Sequence, residues 1–208
     1  TYRYNHPEIP IDKVVKDDIR KIANNVQDYI DEDVDVVVGG PPCQGFSSAN
    51  QQRIIDDPRN ELYKYYIECV KKILPKFVVM ENVRGMLKVA DQVVEDYESI
   101  EEKKNGFTYG YTVSYKILNS LDFSVAQSRE RLIYIAIRND VAEKKDITPK
   151  AIFEEICGEN EDKPHYLLRD ALEYIKPLDA PRIKNTNEKD DERTGKKIDV
   201  NYYSGDES

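Results

Sequence analysis

One cysteine in this chain sits where a reactive thiol would be placed. It lies in Gly39-Gly40-Pro41-Pro42-Cys43-Gln44-Gly45-Phe46-Ser47, directly after the apolar run from Val34 to Val38. A thiolate is a strong nucleophile, and a rigid turn after a buried strand would hold it at a fixed angle. The paired glycines let the backbone turn and approach a ligand, and the two prolines fix φ. A helix beginning near Ser47 would help stabilise the thiolate through its N-terminal partial positive charge. Further on, Phe77-Val78-Val79-Met80 runs into Glu81-Asn82-Val83-Arg84-Gly85, which offers a carboxylate. Later still, Gln127-Ser128-Arg129-Glu130-Arg131 offers paired arginines before the β-rich run Leu132 to Ile137. Candidate nucleophile, carboxylate and paired arginines follow one another along the chain.

The elements that must position these groups follow from apolar periodicity. Asp35–Val38, Phe77–Met80, 112–118 and 132–137 read as strands, the first buried and parallel. Helices are predicted over 18–30, with Ile19, Ile22, Val26 and Ile30 on one stripe, and over 60–74, ended by Pro75. A third, charged and solvated, is predicted over 91–104, broken by Gly106 and Gly110 before the next strand. Tyr63, Tyr65 and Tyr66 read as core rather than as a stacking platform. After Asn139 the pattern weakens: Leu167–Ile175 reads as one more helix, and 181–208 as a linker or torn domain edge. Strands alternating with helices imply a doubly wound α/β sheet, in which ligands gather at the carboxyl ends of the strands. Cys43 and Glu81 are each expected just past such an end, in one crevice.

Composition bounds the function. With 40 acidic and 31 basic residues the net charge is -9, which opposes holding duplex nucleic acid by bulk charge. There is no apolar run near ~20 residues and no signal-peptide pattern, so a soluble intracellular protein is expected. The cysteines Cys43, Cys69 and Cys157 are too widely spaced for a disulfide framework or a zinc site. Cys69 reads as a small core residue and Cys157 as incidental. His6 and His165 have no metal-ligand neighbours in the sequence, and no metal is expected.

The Pro-Cys-Gln, Glu-Asn-Val and Gln-x-Arg-x-Arg motifs, in this order and spacing, resemble those of the DNA (cytosine-5)-methyltransferases. Each motif alone has a plainer structural use; together they specify the family over nearly all of residues 1–175. The resemblance implies a mostly parallel sheet of the S-adenosylmethionine-dependent methyltransferase type. It implies methyl transfer to carbon 5 of a cytosine flipped out of double-stranded DNA, of the restriction-modification kind. Cys43 would be the nucleophile, Glu81 the partner of ring nitrogen 3, with its pKa raised by burial on the floor of a closed pocket, and Arg129 and Arg131 the clamp on the base and its backbone. A loop over 47–59 would close on the base, with Asp57-Pro58-Arg59 like the family's D-x-R segment and Asn50 where many members carry glycine. For the cofactor, Asp17-Asp18-Ile19 resembles the family's Asp-Ile pair. Asp18 and Ile19, with Pro42 and Leu62, would line one side of an S-adenosylmethionine site.

Thr1–Pro7 resembles the T-Y-x-x-N-H-P run that follows the family's second motif. The family's glycine-rich motif would then lie upstream and its recognition domain downstream, which reads as a catalytic domain truncated at both ends. Residues 1–175 are expected to be the partial catalytic domain, and 176–208 a linker or the start of the recognition region. Alone, the 208 residues are expected to bind cofactor and duplex weakly. The complete protein is expected to be monomeric, and cytoplasmic or nucleoid-associated, or nuclear in a eukaryote. Two rivals remain at this level: a tRNA cytosine-5 methyltransferase, since a tRNA-modifying branch shares two of the motifs, and a non-catalytic or half-enzyme subunit.

Overall fold

A computed structural model describes residues 2–42, 61–160, 163–171, 188–190 and 197–199. The chain divides into two units, Thr1–Tyr166 and Leu167–Ser208.

In the first unit, α1 (Tyr2–Asn5) and α2 (Ile19–Ile22) are single turns, and β1 (Val36–Gly39) opens the sheet. Then follow α3 (Glu61–Ile73), β2 (Phe77–Val83), α4 (Ala90–Glu98), β3 (Glu102–Lys104), β4 (Phe107–Tyr109), β5 (Tyr111–Asn119), β6 (Glu130–Arg138), α5 (Asn139–Lys145) and α6 (Pro149–Gly158). The main sheet has the order β1-β2-β6-β5. β1 and β2 are parallel, and β6 runs antiparallel to both β2 and β5. Three strands therefore point the same way, and the reversed β6 is inserted among them. The α/β class and the dominant strand direction match the sequence expectation.

The sheet is packed on two faces. On one, Val78 and Met80 of β2 meet Tyr63, Tyr66 and Val70 of α3 and Val93 and Tyr97 of α4, all buried. Tyr63 and Tyr66 are thus core, as expected. On the other, Ile135 and Ile137 of β6 meet Phe153 of α6. On that second face, among the described residues, Val36 and Val38 of β1 are exposed. No helix among the described residues is long and apolar enough to cross a membrane.

Four expectations need correction. The helix expected over 18–30 is broken: α2 ends at Ile22 and a separate 3-10 turn spans Val26–Tyr29. Asn24 and Asn25 interrupt it, Asn25 with φ -125° and ψ 27°, because asparagine competes for backbone hydrogen bonds. The apolar stripe still packs inward, buried Ala23 and Val26 and half-buried Ile19, Ile22 and Ile30 lying against Cys69 of α3. The helix over 91–104 stops at Glu98, and 102–109 forms the β3–β4 hairpin. Asn105 and Gly106, with φ +55° and +81°, make its two-residue turn, a signal for a hairpin rather than a mere helix break. Nor is α4 simply solvated, since it buries Ala90, Val93 and Tyr97. Finally, two helices follow Asn139. Thr148 caps α6, its hydroxyl accepting from the Ala151 amide, with Pro149 in the first turn, a legible start signal.

In the second unit, α7 (Leu168–Ala171) precedes an antiparallel pair, β7 (Glu188–Asp190) and β8 (Lys197–Asp199). The remainder of the expected helix 167–175, beyond Ala171, lies outside the described residues.

Candidate active site

The parallel register of β1 with β2 ends with Gly39 opposite Met80. Continued by one and two residues, it sets Gly40 beside Glu81 and Pro41 beside Asn82. Side chains alternate along a strand, so Glu81 and Asn82 face opposite ways. Glu81 lies within β2, opposite Ile133 of β6, rather than past its end as the sequence suggested. The strand runs on because β6 pairs with it as far as Val83 opposite Arg131.

Glu81 is held at one carboxylate oxygen. Oε1 is 2.6 Å from Nε of Arg131, while Oε2 lies where a Cβ on Gly40 would come within 3.0 Å. Arg131 also donates from Nη1 to the carbonyl of Glu130 at 2.7 Å. The Glu81 side chain is 45% exposed and that of Arg131 24%, so among the described residues the carboxylate is open to solvent. Beside it, Arg84 and Glu130 form a second ion pair at 2.5 Å. The Glu-Asn-Val-Arg and Arg-Glu-Arg motifs are thus joined twice.

Asn82 faces inward and is buried. Its Nδ2 donates to the carbonyl of Pro41 at 3.1 Å, and its Oδ1 accepts from the Val83 amide at 2.9 Å. The glycine pair before Pro41 has a different physical basis from the one expected. Neither Gly39 nor Gly40 has left-handed φ; both are needed for space. A Cβ on Gly39 would fall 2.3 Å from the ring of buried Tyr66, and one on Gly40 would crowd Glu81.

The arginine motif is held by the end of β5. Asn119 Oδ1 accepts from the amides of Leu121 and Arg129, at 3.1 and 3.0 Å, and its Nδ2 donates to Ser128 Oγ at 3.1 Å. Ser120 donates from its hydroxyl to the Gln127 carbonyl at 2.5 Å. Arg129 is exposed immediately before β6. Sequence reasoning missed Asn119, Ser120 and Asn82 as positioning groups. Only the Asn-Ser pair at a strand end hinted at the first two.

Of the remaining candidates, Pro42 is exposed at the end of the described turn. Cys43, the expected helix start near Ser47 and the loop 47–59 lie outside the described residues. Asp18 caps α2, accepting from the Arg20 amide at 3.0 Å and pairing with its guanidinium at 2.6 Å. Those Arg20 contacts hold its carboxyl down at about 2. Ile19 packs in the small cluster with Tyr65 and Cys69 of α3, and Leu62 is half-buried in the first turn of that helix. The structure therefore joins Glu81, Arg131 and the Gly40–Pro42 turn directly. Ile19 reaches α3 through packing, while the contacts of Asp18 are with its own turn. Among the described residues no cluster of three or more His, Cys, Asp or Glu could hold a metal ion.

Comparison with known proteins bears on this arrangement. The family model for C-5 cytosine-specific DNA methylase matches residues 1–204. The chain is 42% identical over 142 residues to the Type II methyltransferase M.FnuDI of Fusobacterium nucleatum, covering 68% of this chain and 38% of that protein. It is 35% identical over 181 residues to M.NgoPII of Neisseria gonorrhoeae, covering 87% and 48%. To M.AquIA of Picosynechococcus it is 32% identical over 203 residues, covering 87% and 77%. The chain thus spans less than half the length of the first two relatives. A solved structure of an E. coli prophage protein, described as a DNA modification methyltransferase, matches with TM-score 0.55 at 22% identity, over 85% of this chain and 45% of that one. That likeness speaks to fold alone.

Proposed function

Because the chain belongs to the C-5 cytosine-specific DNA methylase family, we propose that it carries the catalytic crevice for methyl transfer to carbon 5 of cytosine in double-stranded DNA. The observation that supports this most is the joining of Glu81, Arg131 and the Gly40–Pro42 turn at one strand end. Carbon 5 of cytosine is a poor nucleophile. Addition of the Cys43 thiolate to carbon 6 makes the ring enamine-like, provided that charge gathering on the ring is met by a proton or a donor. Glu81 is the group for ring nitrogen 3. Arg131 fixes its orientation through Oε1 and leaves Oε2 toward the turn that leads to Cys43. Arg129, exposed beside the pair, is the cation available to the base or its backbone. After transfer, loss of the carbon-5 proton and expulsion of the thiolate restore the aromatic ring.

S-adenosylmethionine supplies the electrophilic methyl group. Asp18 fits its adenine amine, since a carboxylate kept ionised is a strong acceptor. Ile19, Leu62 and Pro42 fit an apolar edge of the same ligand. The net charge of -9 implies that DNA affinity comes from local cations and from contacts beyond this crevice.

The test is covalent capture. The natural protein that carries these residues, incubated with S-adenosylmethionine and a duplex containing 5-fluorocytosine, is expected to form an adduct that mass spectrometry locates at Cys43. An adduct elsewhere, or capture of the RNA counterpart in preference to the duplex, would replace this reading.

A further inference from the structure

We infer that Asn82 is a positioning residue for the thiol, acting through the carbonyl of Pro41. The inference rests on the reading of Cys43 as nucleophile. The β1–β2 ladder stops at Gly39 opposite Met80, and the residues that follow on the β1 side include two prolines. Proline has no amide hydrogen, so the backbone of Pro41 and Pro42 can be hydrogen-bonded only through the carbonyls. Asn82 supplies a donor: Nδ2 lies 3.1 Å from the Pro41 carbonyl, in register with it and buried. Its other side-chain atom is occupied by the Val83 amide at 2.9 Å, which fixes the amide's orientation. A side chain thus takes over where the backbone ladder ends, two residues before Cys43.

The arrangement also couples the two reacting groups. Glu81 and Asn82 are neighbours on one strand; one carries the carboxylate and the other ties down the turn. The turn that leads toward Cys43 and the carboxylate are then anchored on a single stretch of backbone. Misplacement of a reacting group by about 1 Å can lower a rate about 100-fold.

The discriminating variant is Asn82→Asp, which has the same shape and keeps the acceptor but loses the donor when ionised. Two oxygens then face each other at Pro41. A buried carboxyl resists ionisation, and when protonated it donates again. The expected result at pH near 8 is a fall in kcat of about 100-fold, with KM for duplex and cofactor within about threefold. The ratio of variant to parent kcat should recover as the pH is lowered toward 6. Asn82→Ala should show the same fall with no recovery. A parent-like kcat in either folded variant, a loss carried by KM, or an Asp variant whose ratio does not change with pH would overturn the inference. Should the Asp variant fail to fold, the Ala variant decides by its kcat. Should the parent itself transfer no methyl group, the proposed function fails separately. The clasp is then read by hydrogen exchange, expected to quicken over residues 34–40 in Asn82→Ala and not over α6. Unchanged exchange there would sink it.

Discussion

The turn after β1 has a crevice side and a core side, and they are built from opposite materials. On the crevice side, Glu81, Arg131, Arg84 and Glu130 form ion pairs that solvent reaches. On the core side, the ring of Tyr66 fills the space beside Gly39, and Asn82 makes uncharged hydrogen bonds in a buried setting. Exposed ion pairs add little to stability, whereas close packing and satisfied buried polar groups add a good deal. The proposed chemistry would thus fall to groups that the fold can spare, their positions fixed by groups that it cannot. Substitutions on the two sides should separate activity from stability.

The largest effect belongs to the crevice side. Cys43→Ala should abolish methyl transfer and 5-fluorocytosine capture, with duplex affinity and melting temperature near those of the parent; capture by the alanine variant would remove Cys43 from the mechanism. Glu81→Gln comes next. The amide can still hydrogen-bond to the base but cannot deliver a proton, so single-turnover transfer should slow by roughly two to four decades while base binding persists. An unchanged rate would leave Glu81 as a partner of Arg131 and nothing more.

Adjacent glycines give the sharpest contrast. Gly40→Ala pushes on the end of a flexible carboxylate, so it should lower the rate about tenfold, a 1.4 kcal/mol effect on the barrier, with melting little changed. Gly39→Ala pushes on a buried ring and should cost about 1–3 kcal/mol of stability, seen in denaturant titration. Equal effects of the two on melting would dissolve the distinction between the sides. The smallest effect is on the core alone. Burial raises the hydroxyl pKa of Tyr66, Tyr97 and Tyr111 and, more modestly, the Cys69 thiol. Each group is thus neutral in the fold at a pH where it ionises in the unfolded chain. Their contribution is complete below the unfolded values, about 8.5 for the thiol and 10 for the phenols, and is lost as pH rises beyond them. Denaturant midpoints should fall between pH 8 and pH 11.

The framework of this site was legible because it depends on local pattern. The β-branched run before Gly39, the helix stopped by Pro75 and the strand after Arg131 all lie within a residue or two of expectation. What escaped depends on neighbours distant in sequence. β2 extends through Glu81 because β6 pairs along it, and nothing local announces that partner. The glycines were correctly singled out, but their purpose is set by Tyr66 and Glu81, which approach from other elements. Asn82 reads as a polar residue at the end of an apolar run until Pro41 is set beside it. The Asn105-Gly106 hairpin and the Thr148-Pro149 helix start were different: their signals are local and were read too coarsely.

The strand order has a consequence for how the protein reaches its working state. β6 occupies an interior slot, between β2 and β5. It pairs with β5 across a short connection, so that contact closes early and at low entropic cost; docking the pair onto β2 closes a longer loop and comes later. The Glu81–Arg131 contact belongs to the later step. A chain halted before it holds every motif residue and has no crevice, so a half-folded molecule is silent rather than wrongly active. Regain of activity on refolding should then trail the signal of the β5–β6 hairpin and coincide with burial of the tyrosines.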